Sequence, residues 1–179
     1  MERLSEEDWL KHGLKTLRTT GYVGLKADLM AKSLGVSRGS FYWHFKDLGD
    51  FRARLLDYWR AITTERVIEE IEQNNSSAEP LSTLMVRAFR AQSQAGLDQA
   101  VRVWAQFDKT VARRLIAVDK MRLDYLAKLL RNRGLKPEDA TATARFIYAA
   151  SLGDRQIPTK SWPKFTASQI KKIAETLAK

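Results

Sequence analysis

The chain has 179 residues, of which 44% are apolar, and carries 31 Lys and Arg against 21 Asp and Glu, a formal net charge of +10. This length suits one domain, or a small domain joined to a larger one, and the apolar share is too high for a disordered chain. The lack of cysteine excludes disulfides, thiolate nucleophiles and cysteine-bound zinc. The positive charge is compatible with a nucleic-acid partner, but because it is spread along the whole chain it does not decide the question.

Several classes of protein are excluded by what the sequence lacks. No run of about 18 apolar residues is present, and the charged first residues do not form a signal peptide. His12 and His44 are far apart without cysteine partners, and a glycine-rich phosphate loop is absent, so we expect no metal site and no other cofactor. The sequence therefore predicts a cytoplasmic protein that has no membrane partner and is not an enzyme.

The spacing of apolar residues between the few glycines and prolines is helical, which predicts an all-α protein of about nine helices. Ser5 and Asp8 form a capping box at the start of the first helix, and Asp47 caps the long fourth helix. The N-terminal part contains predicted helices over about residues 5–20, 27–34, 37–45 and 47–73. The remainder contains one from Pro80 to a break at Gly96, one around 101–107, and three over about 110–133, 137–152 and 166–178.

The stretch from Ala27 to Phe45 has the features of a helix-turn-helix. Ala31 is small enough to let a second helix cross closely, and Gly35 can adopt the left-handed conformation that a three-residue turn requires. Ser37 can cap the second helix of the motif. An ordinary helical hairpin could show the same spacing, so the pattern by itself leaves both a DNA-binding and a purely structural interpretation open.

Residues 34–46, Leu-Gly-Val-Ser-Arg-Gly-Ser-Phe-Tyr-Trp-His-Phe-Lys, closely resemble the signature of the tetracycline-repressor (TetR) family of bacterial transcription regulators. The similarity covers about residues 5–55, and the Tyr-x-His-Phe-Lys core is highly specific. The resemblance implies an N-terminal three-helix domain with a helix-turn-helix over residues 1–46. It also implies a C-terminal helical domain for effector binding and dimerisation over residues 47–179.

The resemblance implies a DNA-binding role for each residue of the motif. Arg38 and Ser40 would reach base edges, where arginine suits guanine O6 and N7, while Gly39 would allow close approach of the backbone. Tyr42 and His44 would contact phosphates, which set the position of the protein on DNA rather than its sequence preference. The predicted DNA-binding residues are Lys26, Ser37, Arg38, Gly39, Ser40, Tyr42, Trp43, His44 and Lys46.

Two positions depart from the family pattern. Lys26 stands where most members have a threonine that caps the first helix of the motif, so Asp28 or another residue must supply that cap. Leu48 stands where many members carry a second lysine, which removes one expected phosphate contact. Trp43 is open to two interpretations, since its ring could pack along the sugar-phosphate edge or simply shield the turn.

The aromatic residues of the C-terminal part are compatible with a packed core or with a pocket for a small, largely apolar effector. The predicted pocket residues are Tyr58, Trp59, Met85, Phe89, Arg102, Trp104, Gln106 and Phe107. Arg102 with Asp108, or Asp119 with Arg122, is more simply explained as a buried ion pair that fixes helix packing than as a ligand-binding pair. A homodimer through the helices at 110–133 and 137–152 is favoured by small residues beside aromatic ones on the second of these helices, but packing within one chain could use the same features. The predicted interface residues are Tyr125, Leu129, Ala140, Ala144, Ile147 and Tyr148.

Taken with the resemblance, these observations predict a transcription regulator that binds a double-stranded DNA operator as a homodimer. We expect it to be a repressor that a small apolar ligand releases from the operator, although an activator or a ligand-independent regulator would fit the same sequence. The alternative is a helical protein-interaction module that binds no specific DNA sequence.

Overall fold

The computed structural model describes residues 4–73, 79–90, 92–157, 160 and 162–177, and for residues 92–95 it describes only the backbone. Within these residues all regular structure is helical, which confirms the predicted all-α class. The helices are α1 (Glu6–Thr20), α2 (Ala27–Leu34), α3 (Arg38–His44), α4 (Leu48–Arg60), α5 (Arg66–Gln73), α6 (Pro80–Arg90), α7 (Gln92–Ala105), α8 (Lys109–Asn132), α9 (Pro137–Asp154) and α10 (Ala167–Leu177). A π-helical turn, Ala61–Glu65, joins α4 to α5, and with these two counted as one the described residues contain nine α-helical segments, the number predicted.

Most helix ends lie where the sequence predicts them, because the predicted capping residues make the expected hydrogen bonds. The amide of Asp8 donates to Ser5 Oγ at 3.2 Å, and the amide of Ser5 donates to Asp8 Oδ2 at 2.9 Å, which completes the capping box of α1. Asp47 caps α4 by accepting a hydrogen bond from the amide of Asp50 at 2.8 Å. Gly21 ends α1 with a φ of 78°, a conformation that glycine tolerates best.

The predicted helix break at Gly96 is wrong, because Gly96 lies inside α7. A glycine within a helix costs only about 1 kcal/mol relative to alanine. The face of α7 formed by Leu97, Val101 and Trp104 is at most 7% exposed, and the burial of these three side chains outweighs that cost. Tertiary packing therefore keeps α7 helical at Gly96, the residue with the lowest helix propensity in it.

The contacts between residues divide the chain into two compact units. Unit 1 consists of Met1–Thr63 and Gly96–Ile116, and unit 2 consists of Thr64–Ala95 and Ala117–Lys179. This division differs from the predicted functional boundary at residue 46, because α4, most of α7 and the start of α8 pack with the N-terminal helices. The assignment of functions to residues 1–46 and 47–179 stays a prediction.

Unit 1 is built around a close crossing of α1 and α4. Gly13 on α1 faces Phe51 and Leu55 on α4, and a Cβ at Gly13 would lie only 2.6 Å from Phe51 Cζ. Phe51 and Leu55 are fully buried. The absence of a side chain at Gly13 thus allows the two helices to approach at this distance.

Unit 2 has its own apolar core, formed by residues of α5, α6, α8, α9 and α10. Leu81 on α6 and Leu130 on α8 are fully buried in it. Small residues lie at the tightest places: Ala140 and Ala144 on α9 and Ala174 on α10 are at most 1% exposed. Alanine at these places permits close helix packing without leaving cavities.

Candidate nucleic-acid interface

The turn between α2 and α3 has the geometry expected of a helix-turn-helix. Gly35 adopts the left-handed conformation, with φ of 67° and ψ of 27°, which a residue with a side chain adopts only at a cost. The amide of Val36 donates to the carbonyl of Ala31 at 3.1 Å and so closes the last turn of α2. Ala31 is 3% exposed, which matches its predicted position at the helix crossing.

Aromatic rings hold one side of α3 in the core of unit 1. Phe41 and Phe45 are at most 1% exposed, and their ring centroids lie 5.3 and 5.0 Å from that of Phe51 on α4. Trp9 on α1 packs edge-on against Phe41 with centroids 5.4 Å apart. Aromatic pairs in this geometry add to the stability gained by burial. The orientation of α3 is therefore fixed by rings from two other helices.

The opposite side of α3 carries most of the predicted DNA-binding residues. Tyr42 is 44% exposed and Trp43 is 68% exposed. Gly39 has open space beside it, since an added Cβ would meet only Ser37 Oγ, at 3.6 Å. Seven of the nine predicted residues are exposed, namely Lys26, Ser37, Arg38, Gly39, Tyr42, Trp43 and Lys46, whereas Ser40 and His44 are partly buried.

The side-chain caps predicted for the N-terminal ends of α2 and α3 are not formed in this described part of the chain. Ser37 is the N-cap residue of α3, but its hydroxyl accepts no hydrogen bond from the first turn of the helix. The N-cap residue of α2, Lys26, likewise makes no side-chain cap. Asp28 does not replace it, because its carboxylate lies beside Arg38 instead. The caps by Ser37 and Asp28 were predicted from residue type alone. Residue type does not reveal that Asp28 contacts Arg38 in the folded protein.

Arg38 is held by two neighbouring side chains. Its Nε lies 3.2 Å from Asp28 Oδ1, and its Nη2 donates to the Tyr42 hydroxyl at 3.1 Å. The guanidinium carbon lies 5.3 Å from the centroid of the Tyr42 ring, which is within the range of a cation–π interaction. The hydrogen bond to Tyr42 and the charge of Asp28 raise the pKa of Arg38 above its ordinary value. Sequence reasoning missed the contact with Asp28, because only the fold of the turn brings the two residues together.

His44 makes a hydrogen bond that limits its role. Its Nε2 lies 2.8 Å from the carbonyl oxygen of Leu4, just before α1. A carbonyl oxygen only accepts, so Nε2 carries the proton, and the neutral ring then has an unprotonated Nδ1. An unprotonated nitrogen cannot donate to a phosphate oxygen. This hydrogen bond links the end of α3 to the residues that precede α1, and the phosphate contact of His44 stays a prediction.

The predicted effector-pocket residues fall into both units. In unit 1, the indole of Trp59 donates to Asp98 at 2.9 Å inside the core, and Trp104 lies parallel to Tyr22 with ring centroids 6.4 Å apart. Phe107 also stacks on Tyr22, at 5.6 Å, but it is 68% exposed and so is not a core residue. The other predicted residues of unit 1 are Tyr58 and Arg102, which are partly buried, and Gln106, which is exposed.

Met85 and Phe89, the two remaining predicted pocket residues, lie in unit 2, where they line an apolar groove of about 390 Å³. The rim of this groove is formed by large apolar side chains that are 38–66% exposed, namely Phe146, Ile157, Trp162 and Ile173. Sequence reasoning missed this groove because Ile157 and Trp162 lie between the predicted helices at 137–152 and 166–178, where apolar periodicity gives no signal.

The predicted dimer residues are mostly core residues of a single chain. Tyr125, Leu129, Ala140, Ala144 and Ile147 are at most 7% exposed. Side chains buried within one chain offer little area to a second chain, so this choice of residues needs revision. Phe146, the neighbour of Ile147 on α9, is a large apolar residue that is 66% exposed.

Tyr148, the sixth predicted dimer residue, belongs to a polar cluster within unit 2. Its hydroxyl donates to Asp119 Oδ1 at 2.7 Å and accepts from Arg122 Nη1 at 3.3 Å. Arg122 Nε also donates to the hydroxyl of buried Thr64 at 2.9 Å. Burial raises the pKa of the Tyr148 phenol. The cluster connects α8 with α9 and with the π-helical turn, so Asp119 and Arg122 both contribute to helix packing through the Tyr148 hydroxyl. An ion pair between them stays a prediction.

Within the described residues, no helix is both long enough and apolar enough to cross a membrane. The same residues contain no group of three His, Asp or Glu side chains placed to hold a metal ion.

No protein-family model matches this chain, and no curated protein matches it by sequence. Solved structures match it by fold. A protein described as a TetR-family transcriptional regulator, from Rhodococcus sp., gives a TM-score of 0.66 at 15% identity, with 97% of this chain and 98% of that chain covered. The transcriptional regulator FadR from Bacillus subtilis, in complex with stearoyl-CoA, gives 0.62 at 16% identity, with 97% and 96% covered. The superantigen PfiT gives 0.65 at 16% identity, with 99% and 96% covered.

The chain therefore has the all-α fold of TetR-family transcriptional regulators over nearly its whole length. This is the fold that the resemblance at residues 34–46 implies. Because the same fold is also found in a protein named a superantigen, function has to be argued from the residues of the site.

Proposed function

We propose that this protein is a transcription regulator that binds a specific sequence of double-stranded DNA. The observation that carries the proposal is the arrangement of α3, which is anchored by Phe41 and Phe45 and exposes Arg38, Tyr42 and Trp43. A helix anchored along one side can enter the major groove, where the residues of its first turn reach the base edges.

The charges around α3 support the same function. Lys26, at the start of α2, and Lys46, just after α3, are exposed and cationic. We expect each of them to neutralise a phosphate beside the groove that α3 enters. Neutralised phosphates release counterions, so binding should weaken steeply and roughly linearly on a logarithmic scale as salt increases.

Selection of binding sequences from random duplex DNA tests the proposal. The affinity for the selected sequence is then measured at several salt concentrations. Arg38→Ala is expected to relax discrimination at one base pair by about 1–3 kcal/mol, whereas Lys46→Ala should weaken all sites alike and reduce the salt slope by about one. Arg145→Ala, which removes an exposed arginine of α9, is the matched control and should change neither property. If selection yields no enriched sequence, the proposed function is wrong.

We further propose that the protein acts as a homodimer through the rim of the groove in unit 2. Four large apolar side chains are exposed there, and soluble proteins rarely leave such a patch uncovered. A two-fold symmetric contact would place two helix-turn-helix motifs on half-sites about 34–36 Å apart. The operator is then expected to be close to palindromic.

A small apolar effector that releases the operator, which would make the protein a repressor, is the third part of the proposal. Its support is the structure of FadR, which contains stearoyl-CoA, together with the aromatic residues Trp59 and Trp104 in unit 1. Titration of acyl-CoA thioesters, whose acyl chains are apolar, and of small apolar compounds should raise the melting temperature and release operator DNA. Operator DNA should in turn lower the affinity for the effector by the same factor by which the effector lowers the affinity for DNA, typically about 5–150-fold. Release of DNA without this reciprocal effect would contradict the proposal.

A helical interaction protein is the second candidate function, since PfiT has the same fold and is named a superantigen. The two candidates differ in one measurable property. A regulator discriminates among duplex sequences, whereas an interaction module with the same exposed α3 would bind duplexes weakly and without preference.

A further inference from the structure

The two helices of the helix-turn-helix are joined at their N-terminal ends by an ion pair. Arg38 is the first residue of α3, and Asp28 is the second residue of α2. Arg38 Nε and Asp28 Oδ1 are 3.2 Å apart, and Arg38 Nη2 donates to the Tyr42 hydroxyl at 3.1 Å. The guanidinium group therefore has contacts with one residue of α2 and one residue of α3, which fix the direction in which it points.

These contacts leave part of the guanidinium group available to a ligand. They occupy Nε and one hydrogen of Nη2, whereas Nη1 makes no hydrogen bond with any residue that the structure describes. A guanidinium group has five N–H bonds in a planar fork. The end of the fork, formed by Nη1 and the second hydrogen of Nη2, can still donate two parallel hydrogen bonds to guanine O6 and N7.

The carboxylate of Asp28 would also affect the affinity for DNA in general. Its side chain is 67% exposed, and that of Arg38 is 61% exposed. A negative charge beside the recognition helix repels the phosphates of every duplex, whatever the sequence. The carboxylate of Asp28 therefore lowers the affinity for all DNA. This loss is offset only at sequences in which the positioned Arg38 can bind a guanine.

We propose that Asp28 is a specificity-determining residue, which positions Arg38 toward a guanine and weakens binding to non-cognate DNA. Specificity is a difference between affinities, so a repulsive group can increase it even while it lowers absolute affinity. The proposal rests on the proposed DNA-binding function and adds to it a residue that acts through Arg38 rather than on the DNA base itself.

A purely structural role for Asp28 predicts a different result. Asp28 lies in the first turn of α2, where a negative charge interacts favourably with the helix dipole. Removal of such a charge would lower the stability of the protein without changing its discrimination among bases. Glu138, the second residue of α9, occupies the equivalent position in a helix outside the helix-turn-helix. Glu138→Gln is therefore the matched control for the loss of one charge at a helix start.

The test uses the full chain and the duplex selected by the wild-type protein, with each base pair replaced in turn and affinity measured by fluorescence anisotropy. For Asp28→Asn, we expect tighter binding to non-cognate duplexes and a salt dependence steeper by up to about one unit. Discrimination at the base pair read by Arg38 should fall about five- to tenfold, with other positions unchanged. Glu138→Gln should leave discrimination unchanged, and Asp28→Ser, a second variant without the carboxylate, should repeat the loss.

The double variant Asp28→Asn/Arg38→Ala decides whether Asp28 acts through Arg38. In the Arg38→Ala background, Asp28→Asn should cause no further loss of discrimination at that base pair. An additional loss, or a loss at a different base pair, would mean that Asp28 contacts DNA directly and would overturn the positioning role. If the wild-type protein selects a sequence but Asp28→Asn discriminates equally well, this inference is wrong and the proposed function stands. If the wild-type protein selects no sequence, both are wrong.

Discussion

The role of His44 depends on which of its ring nitrogens carries the proton. Its Nε2 donates to the carbonyl oxygen of Leu4, so the neutral ring can offer a phosphate only a lone pair. Residue type alone suggests a phosphate contact, because imidazole is a common donor. The observed contact instead makes His44 part of the packing that holds α3 near α1.

Replacement of His44 by alanine tests this structural role. We expect the free energy of unfolding to fall by about 1 kcal/mol, the net value of a partly buried hydrogen bond. The salt dependence of DNA binding should not change, because no phosphate contact is lost. His44→Gln, whose amide can also donate to Leu4, should recover part of the stability. A salt slope reduced by about one unit would instead identify His44 as a phosphate contact.

Gly39 allows a test of close DNA approach that does not disturb the fold. An added Cβ would meet only Ser37 Oγ, at 3.6 Å, so Gly39→Ala should fold normally and gain up to about 1 kcal/mol of stability. Affinity for the operator should fall, because the methyl group would occupy the space into which DNA must come. Gly153→Ala, in α9 and also in open space, should gain stability with unchanged affinity. Equal affinities of the two variants would show that DNA does not approach Gly39.

Among the helices, the crossing of α1 and α4 is the contact that tolerates change least. A Cβ at Gly13 would lie 2.6 Å from Phe51 Cζ and 2.9 Å from Leu55 Cδ1, closer than non-bonded carbon atoms can approach. Phe51 also packs against Phe41 and Phe45. A displacement of Phe51 is therefore passed directly to the residues that orient α3.

Gly13→Ala should lower the free energy of unfolding by about 1–3 kcal/mol, the usual cost of overpacking a core. Urea denaturation measures this change, with Gly153→Ala as the control for a helical glycine that has free space. Operator affinity should fall together with stability, because α3 loses its fixed orientation. Phe51→Leu in the Gly13→Ala background removes ring atoms from the collision and should recover part of the loss. Undiminished stability of Gly13→Ala would contradict the described crossing.

Local signals made the helices predictable, and tertiary contacts made parts of the site unpredictable. The residues that end or cap helices, such as Ser5 with Asp8 and Gly35, make their contacts with residues close to them in the sequence. Their positions in the sequence therefore identify the helix ends. Gly96 has the same local signal for a break, but the burial of neighbouring apolar side chains overrides it. The contact of Asp28 with Arg38 depends on the three-dimensional path of the turn, which no spacing rule encodes.

At the scale of the whole molecule, the exposed groove of unit 2 predicts the oligomeric state. Phe146→Asp places a charge on the apolar rim and should convert a dimer into a folded monomer at micromolar concentration. Ile116→Asp, which alters an apolar residue of unit 1 that is 67% exposed, is the matched control and should remain dimeric. Sedimentation velocity measures both, and circular dichroism confirms folding. A wild-type protein that sediments as a monomer would contradict the proposed interface.

The exposure of Trp43 gives the protein a built-in optical signal for DNA binding. Three of its tryptophans, Trp9, Trp59 and Trp104, are at most 2% exposed, whereas Trp43 and Trp162 are 68% and 56% exposed. Iodide in solution quenches the emission of exposed indoles far more than that of buried ones. In a Trp162→Phe variant, which keeps an apolar ring at the proposed dimer interface and is first shown to sediment as the wild type does, quenching would therefore report almost entirely on α3. Protection of that emission by duplex DNA would follow the occupancy of the recognition helix directly, without any attached dye.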